Sequence, residues 1–211
     1  MTKWKMKLYY APQTRAIRPR WLLEEIGTAY DLVRLDLAAG DQKKREYLRL
    51  NPNGTVPTLV DGGLILYESA AIVQYLADRF PEKQLAPPVG TPARGKYYQW
   101  IHYATSTLEP AAVTIFLHTT GTPVGRPQPV RLPQLVPEAR AELTAAVRVV
   151  NDALAGKEFI LGDDFTAADV MIGSLLGWSM MLGMIGEDAP NVRTYLAQLL
   201  SRPAADRAHA D

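Results

Sequence analysis

Residues 81–92, PEKQLAPPVGTP, separate two stretches of chain with different hydrophobic periods. Strands repeat about every 2 residues and helices about every 3.6, so a change of period across a proline- and glycine-rich segment marks a change of architecture. Before the segment, strands and helices alternate. Residues 6–10 (MKLYY) form a short strand, followed by a turn containing Pro12 and a helix that carries Ile17, Trp21, Leu22 and Ile26 and stops at Gly27. Residues 30–37 (YDLVRLDL) alternate like a strand covered on one face, and residues 43–50 read as a charged surface helix closed by Asn51-Pro52. Two apolar runs, 58–60 and 64–67, flank the hairpin signal Asp61-Gly62-Gly63, and Ser69 then caps an apolar helix through Ala70, Ile72, Val73, Tyr75 and Leu76. The order is βαβαββα.

After the segment every element is helical. One long helix is expected over 94–118, repeated prolines break residues 121–137, and helices over 138–154, 166–182 and 191–200 complete a bundle. The helix over 166–182 is apolar on nearly all sides and therefore central, and Thr166 with Asp169 has the spacing of an N-cap and its acidic partner. The expected organisation is an α/β domain over residues 1–82, a linker over 83–93 and an all-helical domain over 94–211.

Composition narrows the chemistry. The 211 residues are 47% hydrophobic and 21% charged with a formal net charge of +1, enough apolar material for a core and too weak a field to suggest nucleic acid. There are no cysteines, which excludes disulfides, Cys-ligated zinc and a protein thiolate nucleophile. His102, His118 and His209 lack ligand spacing, so no metal is expected. Lys3, Lys5, Lys7, Arg15, Arg18 and Arg20 leave no apolar leader segment, and no apolar run approaches the roughly 18 residues of a membrane span. A cytoplasmic protein with no membrane partner is the expectation.

Four motifs fall in order along this framework: Thr14-Arg15-Ala16 at the first helix, Asn51-Pro52-Asn53-Gly54-Thr55-Val56-Pro57 before the third strand, Glu68-Ser69 after the fourth, and Phe165-Thr166-Ala167-Ala168-Asp169 in the helical part. Pro57 cannot donate a ladder hydrogen bond, so it belongs at a strand start or edge, where a cis bond would turn the Val56 backbone outward. Ser69 at a helix N-cap suits an anion and Glu68 beside it suits a cation. Together these features resemble the cytosolic glutathione S-transferase family over essentially the whole chain, in its bacterial, beta- and theta-like branches. The fold implied is a thioredoxin-like α/β domain (βαβαββα) followed by an all-α helical-bundle domain.

The resemblance implies that glutathione is the co-substrate. Val56, before the cis Pro57, would pair by its main chain with the cysteinyl unit, a case of strand addition. Ser69 would meet the γ-glutamyl carboxylate and Glu68 its ammonium, while Gln42 first and Lys43 second stand where the glycyl carboxylate needs a donor. Arg15 occupies the position at which beta-class members carry cysteine, so this sequence departs from that class at its defining residue. Thr14 matches the serine of theta-like branches and would donate to the glutathione sulfur, with Tyr10 and Arg15 as alternatives. The task is to lower a thiol pKa from about 8.5 toward neutrality. For the electrophile, resemblance points to Tyr10 and to His102, Tyr103, Ser106 and Glu109 of the helix over 94–118, although an aromatic on an apolar helix such as Tyr103 reads equally well as core.

The activity implied is conjugation of glutathione to small hydrophobic electrophiles, a detoxifying reaction, with peroxidase activity as a further expectation, in a homodimer. The alternative is a non-catalytic glutathione- or ligand-binding protein, or a stress-regulatory one, on the same fold. The intact set of Thr14, Val56, Glu68 and Ser69 favours the enzyme.

Overall fold

The computed structural model describes residues 5–119 and 121–210. Strand β1 (Met6–Tyr10) buries Met6, Leu8 and Tyr10 and exposes Lys7, the alternation that two covered faces of unequal depth produce. It pairs in parallel with β2 (Tyr30–Arg34) and antiparallel with β3 (Thr58–Asp61), which pairs antiparallel with β4 (Leu64–Tyr67), giving the order β2-β1-β3-β4. Gly62 and Gly63 make the two-residue turn between β3 and β4, with Gly62 at a φ of 61°. Helices α1 (Ile17–Ile26) and α3 (Ser69–Arg79) pack on each other and on the sheet, burying Trp21, Leu22, Leu23, Ile26, Ile72, Val73 and Leu76.

Three boundaries differ from the sequence expectation. β2 stops at Arg34 instead of reaching residue 37, because the Asp36 carboxylate accepts from the Ala38 and Ala39 amides and bends the chain. The helix expected over 43–50 is split: residues Asp41–Lys43 form a 3-10 turn, Lys44 is extended, and α2 is only Arg45–Leu48. The helix expected over 94–118 begins at Pro92 as α4 (Pro92–Tyr103), passes through a π turn at Ala104–Leu108 and continues as α5 (Glu109–His118). Pro110 has no amide to donate back along the helix, and the turn before it widens so that the Glu109 amide meets the Ala104 carbonyl.

Helices α6 (Val136–Ala153), α7 (Ala167–Met181) and α8 (Pro190–Leu200) complete the bundle. α7 is buried on most sides, as its apolar composition predicts. Its capping box is present: Thr166 Oγ1 accepts from the Ala168 amide at 3.3 Å, and Asp169 Oδ2 accepts from the Thr166 amide at 2.8 Å. Asp169 Oδ1 also accepts from the Ile160 amide and from the Tyr195 hydroxyl, both at 2.8 Å, so one buried carboxylate ties α7 to α8 and to the loop before it.

The chain divides into two compact units, and the division does not follow chain order. Residues from Leu85 to Arg202 form the helical unit, whereas the residues from Pro203 onward join those up to Gln84. The domain expected over 94–211 therefore gives up its last segment, a short helix α9 (Pro203–His209) that packs on α1. The physical reason lies in the contacts α1 offers: the Arg207 guanidinium donates to the Glu24 carboxylate at 2.8 Å and to the Glu24 carbonyl at 3.1 Å, and the His209 ring meets the edge of Trp21. No described helix is long and apolar enough to cross a membrane.

Candidate functional site

Strand polarity decides where the motif residues meet. β1 and β2 run in the same direction, β3 runs against them and β4 with them, so the end of β1, the end of β2, the start of β3 and the end of β4 lie at one end of the sheet. The turn with Thr14, the 3-10 turn with Gln42 and Lys43, the Val56-Pro57 step and the Glu68-Ser69 pair all adjoin those ends. Residues far apart in sequence are thus gathered by topology alone.

At the first of these turns, Gln13 takes a left-handed φ of 57° and the chain enters α1 through Ala16, not through Thr14. Thr14 therefore stands two residues before the helix cap, outside α1. Its hydroxyl donates to the Ala11 carbonyl at 2.6 Å and accepts from the Ala16 amide at 3.3 Å, bracing the turn. Pro19 falls in the first turn of α1, where its missing amide has no intrahelical partner to lose, which is why a helix starting at Ile17 tolerates it. Arg15 is exposed, and Tyr10 is buried with the Arg20 guanidinium 5.2 Å from its ring centre.

The loop before β3 is held by a buried network. The Asn51 amide donates to the Thr55 carbonyl at 2.9 Å and to Thr58 Oγ1 at 3.2 Å, and the Tyr47 hydroxyl donates to the same carbonyl at 2.6 Å while lying 2.7 Å from Thr58 Oγ1. Burial pushes the Tyr47 phenol up, keeping it a neutral donor. The network delivers a cis Val56-Pro57 bond at the mouth of β3, with Pro57 buried and Val56 half-buried. Gly54 has a φ of +57°, and a Cβ there would lie 2.8 Å from the Gln42 carbonyl and 2.7 Å from Lys43 Nζ. A glycine is required because this loop closes directly onto the 3-10 turn. Gln42 is buried and donates to the Leu37 carbonyl at 3.2 Å, whereas Lys43 is exposed and reaches the Asn53 carbonyl at 3.4 Å.

Ser69 is the first residue of α3 instead of its cap, and Glu68 takes the capping position with a φ of 72° and an exposed side chain. The left-handed backbone at Glu68 is the local strain that turns β4 into α3. Beneath them lies a residue that sequence reasoning missed. Arg18, 3% exposed, donates through Nη1 to Ser69 Oγ at 3.1 Å. Serine can accept that bond and still donate its own proton, so a buried cation faces the same hydroxyl from behind.

In the helical unit, His102 and Ser106 are exposed and Glu109 is half-buried. Their spacing would put them on one stripe of a straight helix, but the π turn rotates the residues beyond it by about 100°, one residue's worth of helix. Tyr103 is committed inside the unit, with its ring 5.3 Å from Trp100 and its hydroxyl donating to the Ala146 carbonyl at 3.2 Å. Among the described residues, no group of three or more histidines and carboxylates stands where it could hold a metal ion.

A four-stranded βαβαββα unit with a cis proline opening its third strand, together with a unit built only of helices, defines a thioredoxin-like protein with a helical-bundle domain. The model for the glutathione S-transferase N-terminal domain matches residues 4–78, and that for the C-terminal domain matches residues 133–198. The chain is 33% identical over 204 residues to glutathione S-transferase GstA of Escherichia coli O157:H7, covering 94% of each protein. Among solved structures, a ternary complex of BphK, a bacterial GST, superposes with a TM-score of 0.84 at 31% identity, over 96% of this chain and 97% of that one. A sphingomonad glutathione S-transferase complexed with glutathione gives 0.79 at 27% identity, over 96% of both. The chain belongs to the glutathione S-transferase family and is an enzyme of the transferase kind.

Tyr47 and Arg18 are the positioning residues that the pattern of the sequence did not single out, whereas Asn51 opened a motif without its buried role being read. Tyr47 had a signal, as the one aromatic in an otherwise charged segment. Arg18 had none, because three arginines at 15, 18 and 20 look alike until α1 is rotated onto α3.

Proposed function

We propose that this enzyme binds glutathione across the motif-bearing end of the sheet and ionises its thiol for attack on small hydrophobic electrophiles. The observation that carries the reading is the gathering of Thr14, Gln42, Lys43, Val56, Glu68 and Ser69 at one end of the sheet. The glutathione held by the sphingomonad relative supports the choice of ligand. In this reading Val56 pairs by its main chain with the cysteinyl unit, and Ser69, polarised by Arg18, donates to the γ-glutamyl carboxylate. Glu68 meets the ammonium of the same unit. Lys43 is the better-placed donor for the glycyl carboxylate, because Gln42 is buried and already donates to Leu37.

Thr14 acts on the sulfur by turning its hydroxyl from the Ala11 carbonyl toward the ligand. A hydrogen bond to a charged acceptor contributes about 1.5–3 kcal/mol, equivalent to roughly one to two pKa units. The thiol proton passes to water; the thiolate then forms the bond to the electrophilic carbon, and the leaving group departs with the electron pair. We place the enzyme in the cytoplasm as a homodimer.

Thiolate absorbance of bound glutathione against pH tests the assignment. Thr14→Ala is expected to raise the thiolate pKa by about one unit, with Tyr10→Phe and Arg15→Ala close to wild type. An unchanged pKa in Thr14→Ala with a rise in another variant moves the role to that residue. Glutathione binding without turnover on any of a broad set of electrophiles overturns the enzymatic reading.

A further inference from the structure

Arg20 holds two parts of the first unit at once. Its guanidinium covers the Tyr10 ring at 5.2 Å, and its Nη2 donates to the carbonyls of Arg207, at 3.2 Å, and of Ala210. Those carbonyls close the C-terminal end of α9, where a cation is favoured by the orphan acceptors of the last turn. α9 is separately anchored by the Arg207–Glu24 pair, one turn further along α1. Tyr10 is covalently followed by Ala11, whose carbonyl is the one that receives the Thr14 proton. A continuous path of contacts therefore runs from α9 through Arg20 and Tyr10 to the hydroxyl assigned to the sulfur.

We propose that Arg20 is a positioning residue for the thiol-activating turn, and that it makes the geometry of that turn depend on the docking of α9. The proposal rests on the reading that Thr14 serves the sulfur. Arg20 touches neither glutathione nor the reacting atoms; it fixes the Tyr10 ring, and through it the peptide that competes with sulfur for the Thr14 proton. Coupling of this kind is reciprocal, so glutathione at the turn must also tighten α9.

Two full-chain variants and two readouts test it. Arg20→Lys keeps the charge but loses the flat guanidinium over the ring, and Arg207→Ala loosens α9 at a residue remote from the site. Both are expected to raise the thiolate pKa of bound glutathione by about 0.3–0.7 unit, which corresponds to roughly a two- to fivefold change for a lost contact of this type. In the wild type, saturating glutathione is expected to slow amide hydrogen exchange in residues 203–210 at least about threefold, and Arg20→Lys to abolish that protection. A fall in melting temperature with the thiolate pKa and the exchange protection both unchanged would mean that Arg20 is only structural. A wild-type thiolate that is depressed and depends on Thr14, but not on Arg20 or Arg207, overturns this proposal alone. A thiolate indifferent to Thr14 overturns the reading beneath it as well.

Discussion

Ser69 makes sense only with Arg18 behind it. A serine hydroxyl at the start of a helix is ordinary, but one that accepts from a buried guanidinium is oriented, with its proton turned away from the cation. Replacing Ser69 with alanine is expected to weaken glutathione binding about tenfold, the size of one charge-assisted hydrogen bond, and Arg18→Ala to do the same without touching the ligand. Calorimetric titration of both variants and of the double variant checks this, and the double should lose no more than the worse single because the two residues act as one unit. Full affinity in Ser69→Ala would remove it from the γ-glutamyl role. At this scale the sequence was legible where the backbone matters and opaque where side chains meet. Val56-Pro57 announced a special backbone, which the cis bond bears out, while the positive φ of Gly54 was not read. Ser69 was read as a helix cap and stands off by one residue, because capping chemistry looks the same on either side of a helix start.

Among the elements, α9 is held to α1 by a carboxylate that titrates. Burial alone would raise the Glu24 carboxyl, but hydrogen bonds from Arg207 and Tyr30 outweigh it and hold the group below its usual range. A depressed folded-state pKa contributes stability that is present above the unfolded value and is lost as pH falls through the folded one. Acidification through the carboxylate range is therefore expected to release α9 before the sheet unfolds, seen as a change in Trp21 fluorescence that Glu24→Gln removes. Coincident loss of Trp21 and sheet signals would contradict it. The elements themselves were largely readable: all four strands, the hairpin and the central α7 follow from period and turn chemistry. The π turn was not, because apolar periodicity runs smoothly through residues 94–118 and only Pro110 signals that the hydrogen-bond ladder must be broken.

For the molecule as a whole, the two compact units part after Gln84, inside the proline-rich segment 81–92 where the hydrophobic period changes, whereas the return of the chain after Arg202 was invisible. Nothing in the composition of residues 203–210 distinguishes a helix that closes the bundle from one that goes back to the first unit; the choice is made by Glu24, Trp21 and Arg20 on α1, nearly the whole chain away. Deleting the residues after Arg202 is expected to expose Trp21, now 1% accessible, and to lower the melting temperature of the first unit by at least about 5 °C, measured by scanning calorimetry. An unchanged transition would show that α9 adds no stability. The discontinuity also sets an order of events on the ribosome. The first unit is the first to be translated and the last to be finished, since all of the helical unit must be made in between, a wait of about 6–24 s at about 5–20 residues per second. Throughout that interval the nascent sheet carries α1 with its outer face bare, which is when a chaperone would have most to hold.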